Sequence, residues 1–293
     1  MNRFESVKVA SGLGIIGNLF LLIIKSIVGV ISNSQAMMAD CVNSAGDIFS
    51  SFMTFIGNKI ASKPHDDNYN LGYGKAEYIY SMLISIVMMY MSLNVLKKSL
   101  FSIINNSKYE FSIYLVIVCV VTIITKFGLF LYTNKLAKKY DNLLIRANSL
   151  DHRNDCFITL SNLISCLFSL LDIYWIDGLV GFLISVWMFI TGIKIFKESY
   201  NVLMDRSIDK DTQIKVYNNI KEHSEIKNVT HFNSTPVGYK YQISLSIFVD
   251  GNLTTFESHD IADKLEKEIV SKIDEIYLAV IHVNPIKFKD VKE

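Results

Sequence analysis

Long, mainly apolar stretches occupy most of the first 200 or so residues of this 293-residue chain, and they constrain its fold more than any other feature. A helix that crosses a bilayer needs about 20 such residues, because the hydrocarbon core is about 30 Å thick and each residue adds about 1.5 Å. The chain is therefore expected to be a polytopic α-helical membrane protein. The pattern predicts six transmembrane helices, near residues 8–31, 35–61, 77–104, 112–134, 142–171 and 175–197.

The last 85 or so residues have the composition of a soluble domain. We therefore expect a transmembrane domain over residues 1–205 and a cytoplasmic domain over residues 206–293. Alternating helix and strand patterns in the second part predict a compact α+β domain of the ferredoxin-like or metallochaperone-like kind. The predicted elements are a helix over Asp209–Glu225, strands over Asn228–Thr235 and Tyr239–Val249, a helix over Thr255–Ile273 and a strand over Ile276–His282.

Composition and charge exclude several classes of function. A net charge of +1 without a dense basic block gives no general attraction for nucleic acid, so no nucleic-acid partner is expected. The four cysteines contain no CxxC pair, which argues against both a disulfide framework and a thiolate zinc site.

The distribution of lysine and arginine predicts the orientation in the membrane. Cytoplasmic flanks of transmembrane helices carry an excess of these residues. The excess predicts a multi-pass protein of the cell membrane with both termini in the cytoplasm. The richer side would carry Arg3, Lys8, Lys59, Lys63, Lys75, Lys135, Lys138 and Lys139, against Lys97, Lys98 and Lys108 on the other.

Two of the predicted helices carry acidic residues at membrane depth. In the second helix, Asn43 and Asp47 are four residues apart and share one helix face; in the fifth, Asp151 and Asp155 repeat that spacing. His152 points about 100° away from the second pair, so it is not counted as a ligand and is expected to pack or lie at the surface. If the two faces oppose one another, four oxygen-bearing side chains converge.

A cluster of ionised carboxylates inside a bilayer needs a compensating charge. A divalent cation supplies it. The alternative is a structural network in which the acids pair with Lys25, Lys126, Arg146 or Arg153. Lys126 either neutralises a carboxylate once the metal has left or extends toward the interface. A further alternative, an intramembrane aspartyl protease dyad, is disfavoured because the acids number three and no Gly-x-Gly-Asp sequence is present.

The chain resembles the cation diffusion facilitators, also called zinc-transporter-type cation efflux proteins, because it carries several of their motifs in the order in which the family has them. The resemblance runs nearly end to end. Its motifs are SQAMMADCVNSAGD from Ser34, DDNYNLGYGKAEYIYS from Asp66, RANSLDHRNDCFIT from Arg146, YWIDGLVG from Tyr174 and LMDRSID from Leu203.

This resemblance implies a homodimer in which each protomer holds a metal with Asn43, Asp47, Asp151 and Asp155. Zinc-selective members usually have His at the position of Asp151, and His or Asp at that of Asn43. The oxygen-only set here favours a harder ion than zinc and is similar to the manganese-exporting branch. We therefore expect Mn²⁺ efflux; Fe²⁺, Zn²⁺ or Co²⁺ efflux by the same fold is the alternative, and Mg²⁺ is disfavoured by its reluctance to lose water.

The resemblance also implies exchange of metal for protons by alternating access. Three close carboxylates in a partly dry site take up protons when no metal is present, so the same acids would serve both ions. The transported metal is the only ion expected besides protons, with no cofactor and no enzymatic activity. A scaffold that senses metal without transporting it is a further alternative.

Three weaker sites follow from the resemblance alone. Asp66 and Asp67, beside His65, would form a loop site, which is expected to be weak or absent because Tyr69 and Tyr73 stand where the family often has histidines. A binuclear centre in the tail is doubtful because Ser246 and Asn284 replace family ligands. Its remaining ligands would be His231, His259 and His282, and a hinge ion pair would join Lys75 and Asp205.

Overall fold

The computed structural model describes residues 3–31, 35–105, 113–168 and 175–286, and these form two compact units. The first unit comprises Met1–Lys63 and Ala76–Tyr200, and the second comprises Pro64–Lys75 and Asn201–Glu293. The short segment between the second and third helices thus belongs with the C-terminal part of the chain.

The first unit is built from six long helices in the predicted order. Several extend past their predicted ends: the first begins at Arg3, the fourth continues to Tyr140 and the sixth to Leu203, because charged turns can continue a helix beyond the apolar segment that predicts it. The helices are α1 (Arg3–Ile31), α2 (Gln35–Ala61), α3 (Ala76–Asn105), α4 (Ile113–Tyr140), α5 (Leu143–Phe168) and α6 (Trp175–Leu203).

Within the described residues, four helical segments are long and apolar enough to cross a membrane. They are Arg3–Val28, Ala76–Ile104, Ile113–Tyr140 and Gly178–Leu203, which belong to α1, α3, α4 and α6. The other two long helices, α2 and α5, carry the acidic residues and are less apolar. The structure thus has six long helices, with the composition of a membrane span in four of them.

Close approaches between helix backbones occur where glycine faces a neighbouring helix. A β-carbon at Gly57 of α2 would lie 2.7 Å from the β-carbon of Tyr80 on α3, and one at Gly17 of α1 would lie 2.9 Å from Leu129 Cδ1 on α4. Small residues at such contacts are typical of helices that associate in lipid, where close packing replaces the hydrophobic effect.

The buried carboxylate of Glu77 joins three helices at one end of the first unit. Its Oε2 accepts a hydrogen bond from Arg3 Nη2 at 2.7 Å, and its Oε1 accepts one from the backbone N–H of Leu143 at 3.0 Å. Glu77 therefore pairs with the first turn of α1 and caps the N-terminus of α5, where free N–H groups favour a negative charge.

The C-terminal unit has the order α7 (Lys210–Lys221), β1 (Asn228–Val237), β2 (Lys240–Asp250), α8 (Thr255–Lys272) and β3 (Ile276–Ile286). The strand order is β1-β2-β3, with β1 and β2 antiparallel and β2 and β3 parallel. Gly238, at φ +64°, makes the tight turn between the first two strands. The parallel pair requires a crossover connection, which α8 provides.

The core of this unit lies between the sheet and its helices. Alternate residues of β2 point inward, namely Ile243, Leu245, Ile247 and Val249, and meet the apolar faces of α7 and α8. The helices begin at capping residues: Asp209 accepts a hydrogen bond from the Thr212 N–H at 2.9 Å, which lowers the pKa of the Asp209 carboxyl. Thr254 and Glu257 form a capping box at the start of α8.

Leu265 of α8 is completely buried in this core. We expect Leu265→Ala to lower the free energy of unfolding of the C-terminal unit by about 2–5 kcal/mol through lost apolar contact and a residual cavity. Hydrogen–deuterium exchange of β2 and β3 in the full-length protein measures the change. The control is Phe256→Ala on the same helix, where a side chain that is 83% exposed predicts a change within about 0.5 kcal/mol. Equal effects of the two substitutions would contradict this account of the core.

Candidate metal centre

Three carboxylates from two helices converge inside the first unit. Asp47 lies on α2, and Asp151 and Asp155 lie one turn apart on α5. One oxygen from each can be chosen so that all three lie within 4.8 Å of one another, and no other group of three acidic, histidine or cysteine side chains in the described parts of the chain does so. Asp47 of α2 therefore lies opposite the face of α5 that carries Asp151 and Asp155.

Polar side chains of α1 fix α2 in this position. Asn18 is buried, and its Nδ2 donates to the backbone carbonyl of Asp47 at 3.0 Å and to Ser51 Oγ at 3.1 Å. Ser51 Oγ also accepts a hydrogen bond from Asn148 Nδ2 of α5 at 3.4 Å. The helix that carries Asp47 is thus tied to its neighbours next to the site itself.

Lys126 of α4 reaches into the centre of the cluster. Its Nζ lies 2.7 Å from Asp47 Oδ2 and 2.6 Å from Asp155 Oδ2, and its side chain is only 1% exposed. The sequence alone allows this lysine either to neutralise the acids or to extend toward the interface, and the structure shows contact with the acids. A lysine inside an apolar segment indicates an unusual role. Spacing within α4 cannot indicate which other helix the lysine contacts.

The remaining basic candidates have other partners. Arg146 pairs with Glu198 at 3.0 Å, the Arg153 guanidinium lies 4.3 Å from the centre of the Trp187 ring, and Lys25 donates to Ser44 Oγ at 3.0 Å.

Asp151 Oδ2 is buried and has no hydrogen-bond partner. The contacts of Lys126 therefore account for one oxygen each of Asp47 and Asp155, and Asp151 Oδ2 is left without a hydrogen-bond partner.

A cavity of about 60 Å³ lies beside the carboxylates, large enough for a metal ion with a few water molecules but not for an extended substrate. With all three acids ionised and Lys126 protonated, these four side chains carry a net charge of −2, and two further lysines line the cavity. A small cation matches the space and the oxygen donors of the three acids. The cavity is lined by the three acids and Lys126 together with Lys25, Lys98, Asn94, Thr122, Thr159, Met88, Met91, Met188, Val95 and Ile158.

Two other residues near the cluster, Asn43 and His152, were considered as possible ligands from the sequence. Asn43 lies one turn before Asp47 on α2, but its side chain is outside the described residues. His152 is not part of the ligand group, as its helical angle predicted. It is completely buried, and a β-carbon at Gly14 of α1 would lie 3.5 Å from its Nε2. Of the two roles expected for it, packing is the one observed.

The three tail histidines are exposed and belong to no group of three ligands among the residues that the structure describes. His231 lies at an interruption of the β1–β2 register, with φ of 53°. His282 of β3 is paired in register with Ser246 of β2, and His259 lies on α8. A single protomer therefore provides no ready-made metal site from these residues.

The loop acids also remain apart from any group of three ligands in the described chain. Asp66 organises the loop instead. Its Oδ1 accepts the backbone N–H groups of Asn68 and Tyr69 at 3.0 and 2.9 Å, and its Oδ2 accepts the Tyr73 hydroxyl at 2.6 Å. The last hydrogen bond raises the pKa of Tyr73 to about 12. Asp67 and His65 are exposed.

Lys75 and Asp205 are close together, as the motif comparison predicted. The Lys75 Nζ lies 2.6 Å from Asp205 Oδ1, and the two side chains are 38% and 54% exposed. An ion pair so exposed to water typically stabilises a fold by less than about 1 kcal/mol. The Lys75–Asp205 ion pair therefore contributes little to the stability of the fold.

Known proteins match both units of the chain. Residues 12–204 match the cation efflux transmembrane domain, and residues 208–286 match the cation efflux protein cytoplasmic domain. The chain is 26% identical to the magnetosome protein MamB of Magnetospira sp. strain QH-2, over 90% of each chain.

Two further relatives come from Bacillus subtilis strain 168. The manganese efflux system protein MneP is 25% identical over 93% of this chain and 94% of its own. The manganese efflux system protein MneS is 27% identical over 99% of this chain and 100% of its own. The match to both family domains extends over nearly the whole length, so this chain belongs to the cation efflux family of multi-pass membrane transporters for divalent cations.

Proposed function

We propose that this protein exports Mn²⁺ across the cell membrane in exchange for protons. The observation that carries the proposal is the convergence of Asp47, Asp151 and Asp155 around a small cavity, with one acid oxygen left unpartnered. Buried charge of this kind is costly unless a cation neutralises it. The ligand set would be completed by Asn43, one helical turn from Asp47.

The chemistry of the donors favours manganese over zinc. Carboxylate and amide oxygens are hard ligands that suit Mn²⁺, whereas zinc sites usually include imidazole or thiolate. The manganese efflux relatives MneP and MneS support the same choice. Fe²⁺, Co²⁺ and Zn²⁺ are the competing substrates, because affinities for one site generally rise along the first transition row and selectivity then depends on geometry and supply.

Proton exchange follows from the same acids. When the cation leaves, the cluster keeps more negative charge than Lys126 can balance, and a partly dry site favours the uptake of protons. Movement of the helices that exposes the site first to one side and then to the other completes the transport cycle.

In this proposal all six long helices cross the membrane. Helices α2 and α5 can span despite their acids, since polar residues are tolerated where they face the interior of a bundle. Both termini and the C-terminal unit would be cytoplasmic, and the protein would act as a homodimer. A partner protomer is needed if His231, His259 and His282 are to bind metal, because one protomer does not bring them together.

We expect Asp155→Asn to lower Mn²⁺ uptake into inside-out vesicles at least about tenfold. The substitution keeps the size of the side chain and removes a ligand charge. Asp263→Asn is the control, because Asp263 lies on α8 in the C-terminal unit, has a side chain that is 44% exposed and pairs with Lys267. Retention of transport in Asp155→Asn would contradict the proposed site. Absence of transport for manganese, iron, zinc and cobalt in the unsubstituted protein would instead favour a metal-sensing scaffold.

Replacing one acid by histidine tests the metal preference. We expect Asp151→His to increase the ratio of Zn²⁺ to Mn²⁺ transport about tenfold or more, because imidazole is a preferred ligand of zinc and replaces a hard oxygen donor. Competition between the two ions in the same vesicle preparation measures this ratio. Asp151→Asn serves as the control, since it removes the charge without supplying nitrogen. An equal change of ratio in both variants would show that the donor type does not set the preference.

The Lys75–Asp205 pair would act in the movement of the protein more than in its stability. We expect Lys75→Asp and Asp205→Lys each to reduce transport several-fold, and the double reversal to restore it, because the reversed charges attract again. Initial rates in vesicles measure this, with thermal unfolding as the accompanying stability measurement. If the double reversal is no better than the single ones, the pair has no role as a charge interaction.

A further inference from the structure

We infer that Lys126 is a tethered competitor of the transported cation: its ammonium group occupies the metal position when the site is empty and must be displaced for metal to bind. The inference rests on the proposed function, and it gives one residue outside the ligand set control over the affinity of the site. It follows from the position, burial and partners of a single side chain.

The ammonium group bridges the two helices that provide the acids. Its Nζ contacts Asp47 Oδ2 of α2 at 2.7 Å and Asp155 Oδ2 of α5 at 2.6 Å, while its own backbone belongs to α4. Three helices are thus joined through one nitrogen atom. The side chain is 1% exposed, so water does not screen this charge effectively.

A metal ion and this ammonium group compete for the same space. Zn²⁺ and Mg²⁺ lie roughly 2.0–2.2 Å from carboxylate oxygens, and a divalent ion of similar size would have to lie among acid oxygens that are within 4.8 Å of one another. A cation there is within a few ångströms of Lys126 Nζ. Since like charges repel strongly at that distance in a buried site, metal binding requires Lys126 to give up at least one of its two carboxylates.

A carrier must release its metal as well as bind it, and a competing ammonium group favours release. The effect of removing the Lys126 charge distinguishes this competition from a purely structural ion pair. If Lys126 competes with the metal, removing its charge strengthens metal binding and slows release. If Lys126 instead holds the ligands in place for the metal, removing its charge weakens binding. In neither case does the lysine need to lose its proton.

Binding of Mn²⁺ to the purified full-length protein tests the inference. We expect Lys126→Met, which removes the charge and keeps most of the side-chain length, to lower the Kd for Mn²⁺ at least about tenfold and to slow transport at saturating Mn²⁺. Lys126→Arg keeps the charge and is expected to restore the Kd to within about threefold of the unsubstituted protein. Lys97→Met is the matched control, because Lys97 is an exposed lysine of α3 that does not line the cavity, and the Kd for Mn²⁺ should change by less than about twofold.

Each other outcome overturns one identifiable claim. If Asp155→Asn abolishes Mn²⁺ binding but Lys126→Met binds Mn²⁺ equally or more weakly, competition by Lys126 is wrong and the proposed site stands. If Asp155→Asn leaves Mn²⁺ binding and transport intact, the proposed site itself is wrong. Lys126→Gln repeats the test with a polar neutral side chain. Should both neutral variants unfold while Lys126→Arg remains folded, Lys126 is a structural residue and the inference fails.

Discussion

The contact of Lys126 with Asp47 and Asp155 is the interaction on which the arrangement of the first unit depends. It places one positive and two negative groups in a region shielded from water, where each would be costly alone. Helices α2, α4 and α5 must therefore pack so that these groups meet. Other polar contacts, such as that of Asn18 on α1 with the Asp47 carbonyl, join α2 to a further helix next to the cluster.

The helices that carry the acids depend on their neighbours for a suitable environment. Apolar composition identifies α1, α3, α4 and α6 as candidate spans, while α2 and α5 are too polar to qualify by themselves. Contacts such as Gly57 against Tyr80 let the apolar helices approach α2 closely. The acidic residues that make α2 and α5 less apolar than the other helices thus line a charged cavity inside the first unit.

Sequence patterns predicted those features that depend on local spacing. The four-residue separation of Asp151 and Asp155 indicated a common face, and alternation along β2 indicated its buried side. Contacts between distant elements could not be predicted in this way. The Arg3–Glu77–Leu143 contact joins residues more than 60 positions apart in sequence, and the two contacts of Lys126 depend on how three helices rotate against one another. The apolar pattern also places some helix ends too early. In α4, the charged last turn lies beyond the apolar segment but is still helical.

The presence of a third acid, Asp151, is the strongest argument against a purely structural role for the cluster. Joining α2, α4 and α5 through a lysine requires only two acids, and Asp47 with Asp155 already supplies them. Asp151 adds a third carboxylate whose buried Oδ2 has no hydrogen-bond partner, and an unsatisfied buried acceptor destabilises a fold by about 1–3 kcal/mol, or by more when it is charged. Replacing such ion pairs by apolar residues often stabilises a protein. A third acid is therefore a cost to a scaffold, but it is what a site needs if it is to hold a divalent cation against the competition of its own lysine.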